Sequence, residues 1–422
     1  MVMMPVSESF FLSGSAAVYS RYTSLAVFLL CAIALVVPSG YSLGAVMLLL
    51  GSGVLLATRP LLRLGHQDMW VMAVMAAYAL VGMQSALWDG QGVSGLDKPL
   101  RFLLAVPALL LVVAYPPRLS WLWSGIAVGA VGSGSWAIWQ KFALEVERAT
   151  GYTHTIQFGN LSMLLGVLCI AALGWAVIQP RRHLWVVALL IAALLGALGS
   201  LLSGSRGGWV GIPFVLLVLF RAYGRFISRK LLVAISGLLL VAGIGVYAVP
   251  ELGVQARVHQ ALDEVARYAE GDRSHSSVGA RFEMWRGASH LITEKPLLGW
   301  GDNGYADAMQ ALGQEGVINA RAAQYGHAHN EFIDSLAKRG VLGLAVLLAL
   351  YLVPMRFFAQ SLGAADLSRR SIATAGVLLP VTYIDFGLTQ TFLSHNSGVM
   401  MYAFLLAVLW GIYARQARSS YC

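Results

Sequence analysis

Charge is what this sequence has least of. Only 12% of its 422 residues are Asp, Glu, Lys or Arg, while 58% are hydrophobic. A soluble chain of this length needs roughly a quarter of its residues charged to cover its surface, so a water-soluble globule is excluded. The mean hydropathy of +0.70 agrees. Cysteine is scarce as well. Cys31 and Cys169 fall inside apolar runs and Cys422 is the last residue, so no disulfide framework or cysteine metal cluster is implied. Also missing are a DxD pair for a metal-held nucleotide sugar, a Walker loop, a dinucleotide fingerprint and a G-x-S-x-G elbow. Any chemistry here runs without bound nucleotide, on a substrate held in lipid.

What the sequence does have is apolar runs of membrane-crossing length, ~20 residues at 1.5 Å per residue against ~30 Å of hydrocarbon. They are continuous stretches and not ten-residue alternations, which excludes a barrel. The expected fold is all-α and polytopic, with about twelve spans near 24–38, 41–58, 68–87, 98–115, 119–139, 156–178, 184–202, 207–220, 231–249, 330–354, 371–390 and 396–414. Arg21, Arg59, Arg118, Arg181, Arg225, Arg370 and Arg418 fall in alternate connections, whereas the short loops opposite hold only Lys98, Arg101, Lys141, Arg148 and Arg206. The basic side marks the cytoplasm and retains both termini there. This also accounts for the net charge of +9 without nucleic acid. Residues 1–249 thus hold the first nine spans, 250–326 a long polar loop outside the cytoplasm, and 327–422 the last three. Within the loop, "ELGVQARVHQALDEVARYAEG" and "ARFEMWRGASHLITEKP" each carry helical periodicity, and Pro296–Gly304 reads as a turn-rich link.

Three constellations offer chemistry. In "SGSRGGWVG" (203–211), Arg206 is an arginine with no acidic residue anywhere between Gly151 and Phe220. An eighth helix beginning near Ser205 places it at the outer interface, where a guanidinium, a helix start and close-approach glycines form an anion site. The plainer alternative is an interfacial anchor reaching for water. In "YGHAHNEF" (325–332), His327 and His329 stand two apart, a spacing that on a helix points them in different directions. No third ligand at metal spacing accompanies them. A proton acceptor is the better role for an imidazole largely neutral at pH 7, with two interfacial histidines as the alternative. Asn330 suits a helix cap. In "GARFEMWR" (279–286), Arg281 and Arg286 are five apart and cannot share a narrow face; Arg286 reads as a solvated charge. No role is assigned to His395.

Taken together, "SGSRGGW" (203–209), "ARFEMWRGA" (280–288) with "KPLLGWGDNGY" (295–305), and "GHAHNEFIDSLAKRGVLGL" (326–344) resemble the O-antigen ligase and polymerase family of bacterial envelope proteins. The resemblance is specific over roughly 200–345. It implies about twelve transmembrane helices, a large periplasmic loop, and glycosyl transfer without metal or other cofactor in the inner membrane. The donor it implies is a sugar polymer on undecaprenyl diphosphate, and in the ligase branch the acceptor is a hydroxyl of the lipid A–core oligosaccharide. The family's two arginines map onto Arg206 and Arg281 and its histidine onto His329; His327 and Asn330 join them as substrate-binding positions. O-antigen polymerase and protein O-oligosaccharyltransferase share these motifs. A transporter of an anionic lipid is the rival from another class, although the polar groups gather on one face and no internal repeat is evident.

Overall fold

The computed structural model describes residues 14–205, 207–226, 228, 230, 237, 241, 243–245, 247–249, 254–270 and 276–419. Among them every regular element is helical, as hydrocarbon requires of a chain that must satisfy its own backbone. The membrane bundle begins with α1 (Gly14–Ala32), α2 (Gly40–Gly51), α3 (Val54–Thr58), α4 (His66–Trp88), α5 (Gly92–Ala114) and α6 (Leu119–Phe142). It continues with α7 (Thr155–Ala171), α8 (Leu173–Ala176), α9 (Arg182–Ser203) and α10 (Ile212–Tyr223). A helical cap follows, formed by α11 (Val254–Ala269), α12 (Ser277–Glu294) and α13 (Asp302–Gln314). The chain then returns through α14 (Glu331–Ala359), α15 (Leu367–Gly387) and α16 (Asn396–Ser419).

Six helical segments among the described residues are long and apolar enough to cross a membrane: Gly40–Thr58, His66–Trp88, Thr155–Ala176, Arg182–Ser203, Glu331–Ala359 and Asn396–Arg418. The expected count near twelve is not reached by that measure. Helices α5, α6 and α15 have the length but not the apolarity. The expected span at 207–220 is replaced by turns over 207–211 and the 12-residue helix α10. The span at 231–249 lies largely outside the described residues.

Helix α9 shows how the bundle packs. Leu184, Val187, Ile191 and Leu194 are exposed, whereas Ala192, Gly196, Gly199 and Ser200 are buried. The inward face is selected for smallness, because lipid already solvates leucine and only close backbone approach improves on it. A Cβ on Gly196 would lie 2.9 Å from the Cα of Gly166 on α7. Helix α16 is buried throughout its apolar window and forms the central post. Around it Tyr402 packs on Tyr383 and Tyr351 at ring separations of 4.7 and 5.3 Å. The Tyr402 hydroxyl donates to the Leu350 carbonyl at 2.9 Å, which removes the cost of burying it.

Connections sort onto two rims. At one, Ser20 bonds Pro116, Arg225 and Arg370 donate to the Gly363 carbonyl, and Arg418 pairs with Asp68. At the other, Tyr152 bonds Leu35, Arg148 donates to the Ser203 carbonyl, and Asn330 bonds Leu388. The cap joins this second rim, where the amides of Asn303 and Gly304 donate to the Asp89 carboxylate. It has a core of its own, built on Ala288, Leu291, Tyr305, Met309 and Leu312. The link read as a turn at 296–304 therefore opens a third cap helix, α13, with Tyr305 and Met309 facing inward.

The link and α14 are one joint. Helix α14 breaks at Gly340, where φ is +63° and ψ −164°. The break releases the carbonyls of Ala337 and Lys338, which accept from the amides of Trp300 and Gly301 at 3.1 and 2.8 Å. The Val341 amide in turn donates to Pro296 at 2.8 Å. Backbone groups left open by an interrupted helix are costly inside a membrane protein, and here each finds a partner in the link.

Candidate active site

The site forms where α14 begins. Asn330 caps the helix, its Oδ1 accepting from the amides of Phe332 and Ile333 at 3.0 Å. Its Nδ2 reaches across to the Leu388 carbonyl at 3.1 Å. Glu331 accepts from the Leu393 amide at 2.8 Å. Two consecutive side chains thus hold the 388–395 connection against the entry to α14.

Residues before the cap are not helical, and this changes the geometry expected of the histidines. His329 sits at φ +49°, and the rings of His327 and His329 meet edge to face at 4.1 Å. The two-residue spacing that would part them on a helix brings them together on this turn. Ala328 between them is clamped from both sides. Its amide donates to Asp334 at 2.9 Å and its carbonyl accepts from the Trp285 indole at 2.9 Å. Because Trp285 and Arg281 are four apart on α12, they share a face, and the clamp brings Arg281 within electrostatic reach of His329. Arg286 is turned away, exposed beside Glu283.

The protonation of the pair follows. Burial, then the neighbouring His327 and the positive Arg281, hold His329 down to about 4. The Gln390 hydrogen bond and Asp334 act in the other direction without prevailing. Burial, with Lys338 and His395, brings His327 down to about 4 also. Both imidazoles are neutral at pH 7. Which nitrogen carries the proton is fixed by Gln390. Its Oε1 accepts from the Thr391 amide, so the oxygen faces His329 Nδ1 at 2.7 Å and Nδ1 must be the donor. Nε2 of His329 keeps its lone pair. The Gln390 amide nitrogen lies 3.4 Å from His395 Nε2, and His395 stacks on His154 at 6.2 Å.

Arg206 lies outside the described residues. Its neighbours in sequence do not: the Ser205 hydroxyl donates to Asn160 at 2.8 Å, and a Cβ on Gly207 would lie 2.2 Å from the hydroxyl of Thr389, next to Gln390. The helix expected to start near Ser205 starts instead at Ile212, with proline in its first turn. Ser203 ends α9, its Oγ accepting from the Ser205 amide at 3.1 Å, so neither serine caps a helix start. The glycines are packed flat against α7 and the 386–389 turn, which leaves the backbone at 207–211 in turns and not in a helix.

Next to the histidine turn lies an ion cluster centred on the buried Lys338. Lys338 bridges Asp334 and Asp302 at 3.1 and 2.8 Å, tying α14 to the start of α13. Burial opposes ionisation of Asp302, but Lys338 and Arg339, with hydrogen bonds from Lys338 and Gln91, bring its carboxyl down to about 2. Trp285, Gln390 and His395 are site residues that spacing in the sequence did not single out. Gln390, at the very end of an apolar run, was the one visible signal.

Residues 191–348 match the family model described as O-antigen ligase. An uncharacterized protein from Haemophilus influenzae is 28% identical over 369 residues, covering 87% of this chain and 92% of that protein. The matched segment runs from α9 through the glycine turn, the cap and the histidine turn to the first half of α14; the 388–395 connection that holds the histidine turn lies beyond it. The chain carries several helices long and apolar enough to cross a membrane, and over residues 191–348 it is similar to the O-antigen ligase family.

Proposed function

We propose that this chain is an O-antigen ligase, moving O-antigen polysaccharide from undecaprenyl diphosphate to a hydroxyl of the lipid A–core oligosaccharide at the periplasmic face of the inner membrane. One arrangement carries the reading: His329, its Nδ1 bonded to Gln390 and its Nε2 left open, lies within electrostatic reach of Arg281 on the rim that bears the cap. His329 Nε2 takes the proton of the acceptor hydroxyl as its oxygen attacks the anomeric carbon. The bond from that carbon to the diphosphate oxygen breaks, and the electron pair leaves with the diphosphate. Arg281, together with Arg206, receives the charge that develops there. Positioned donors of this type contribute ~3–4 kcal/mol each to lowering a barrier. A single displacement inverts the anomeric centre. His327 and Asn330 shape the pocket, the first by ring contact and the second by holding the helix start.

Purified protein given undecaprenyl-diphosphate-linked glycan and lipid A–core in detergent should join them, with inversion read by NMR of the new linkage. Arg281→Ala should lower turnover ~10²–10³-fold while the protein still inserts. Arg281→Lys should recover little, because lysine keeps the charge but loses the fork that grips phosphate. Full activity of Arg281→Ala would end the assignment.

A further inference from the structure

A cavity of about 520 Å³ opens between α4, α5 and the first turns of α14, reaching Glu331, two residues from His329. Its volume is within the range of small-molecule sites. Glu331, Ser335 and Arg339 line it at successive four-residue steps of one helix. They form a stripe ~12 Å long that runs from carboxylate through hydroxyl to guanidinium. The Ser335 hydroxyl and the Arg339 Nε are both buried, and neither has a hydrogen-bond partner among the described residues. Buried polar atoms of this kind are costly unless something bonds them.

The lining indicates what that partner is. Asp302, Glu331 and Asp334 stand against Arg339, Lys98 and the bridging Lys338, so neither sign is in excess and an anion gains little by entering. Groups that both donate and accept suit the stripe at every step. Pro99 and Phe102 of α5 add apolar faces, while the Tyr78 hydroxyl of α4 is hydrogen-bonded to Arg339. A neutral, polyhydroxylated ring with one apolar face fits this combination.

Position identifies the source. Ser394 lines the cavity and its neighbour His395 is bonded through Gln390 to His329. Glu331 is two residues from His329 and is pinned to the 388–395 connection. Arg281, by contrast, comes to His329 from α12, which contributes nothing to the cavity. Diphosphate and cavity therefore address the imidazole from different elements. Lys98 and Ser94 are exposed at the mouth.

We propose that the cavity between α4, α5 and α14 is the acceptor-sugar site, holding a neutral core sugar against the Glu331–Ser335–Arg339 stripe so that its hydroxyl meets His329. The inference rests on the glycosyl-transfer reading and deepens it. The test uses the full-length protein in detergent with two probes, delipidated core oligosaccharide and undecaprenyl diphosphate carrying glycan. Ser94→Trp closes the mouth from an exposed position, and Ser335→Leu fills the interior. Binding of the oligosaccharide is followed by saturation-transfer NMR and transfer by steady-state kinetics, with unfolding midpoints confirming that both variants fold. Each variant should weaken oligosaccharide binding and raise the acceptor KM by ~10-fold or more while leaving the donor KM within ~2-fold. Wild-type transfer with an unchanged acceptor KM in Ser94→Trp overturns the cavity and leaves the function standing. Oligosaccharide binding that Ser94→Trp abolishes, in a protein that transfers nothing, upholds the cavity and overturns the function. A rise confined to the donor KM assigns the cavity to donor sugars and overturns the acceptor assignment.

Discussion

Gln390 occupies the place where many catalytic histidines meet a carboxylate, and the difference has a chemical consequence. A carboxylate fixes the tautomer and also favours imidazolium, whereas an amide oxygen fixes the tautomer and leaves the ring neutral. With Arg281 close by, a charged imidazolium would be opposed in any case, so neutrality is reinforced from two sides. In the proposed base role His329 must be unprotonated, and because it is held down to about 4, transfer is expected to be flat with pH above ~5.5 and to fall only below that. Gln390→Glu places a negative charge 2.7 Å from Nδ1 and raises the basicity of the ring. The acid limb of kcat/KM should then move up by ~1 pH unit or more, with a loss of half or more at pH 5, where wild type is nearly fully active, and recovery by pH 8. A profile superimposable on wild type would remove His329 from the base role.

At the scale of elements, the joint at Gly340 couples the cap to the histidine helix. Alanine there would have to adopt φ +63°, ψ −164°, a region essentially confined to glycine, at a cost of about 1–3 kcal/mol. Its Cβ would also lie 2.1 Å from the Leu297 carbonyl oxygen, which belongs to the main chain of the link and is held by the Leu342 amide. Gly340→Ala should lower the unfolding midpoint in detergent and reduce transfer together, while Gly363→Ala, whose Cβ meets nothing within 4 Å, should change neither. Equal midpoints for the two variants would mean that the joint does not carry the coupling. The helices α11 and α12 were legible in the sequence because their apolar residues recur at helical spacing and Pro296 closes the second. The joint was not, because it pairs residues some forty positions apart, and a turn-rich link looks the same whether or not a broken helix waits to receive it. The same limit applies to the histidines. Their two-residue spacing parts them on a helix, and only the clamp on Ala328 from Trp285 and Asp334 shows that this segment is a turn.

For the whole molecule, hydropathy showed a membrane protein and the arginines showed which connections share a side, because both signals accumulate over many residues. The number of spans was less legible. Helix α5 carries Asp97, Lys98 and Arg101 in its first half; Lys98 lines the cavity, and Asp97 pairs with Arg101. A polar lining lowers the apolarity of a helix without shortening it, so composition undercounts helices that build a site. The two-rim arrangement makes a direct claim about orientation. His290 is exposed on the cap, and His183 is exposed at the start of α9, on the arginine-rich rim. Cys31 and Cys169 are buried, so with Cys422 changed to serine the background for thiol labelling is low. A membrane-impermeant maleimide added to intact spheroplasts should label His290→Cys and spare His183→Cys, and permeabilisation should expose the second. The physical reason is that short connections rich in arginine are retained in the cytoplasm, and the histidines, Arg281 and the cavity all lie at the opposite rim. The reverse labelling pattern would put the site in the cytoplasm, where neither the proposed donor glycan nor the lipid A–core acceptor would meet His329, and glycosyl transfer to that acceptor would have to be abandoned even if every distance in the site were correct.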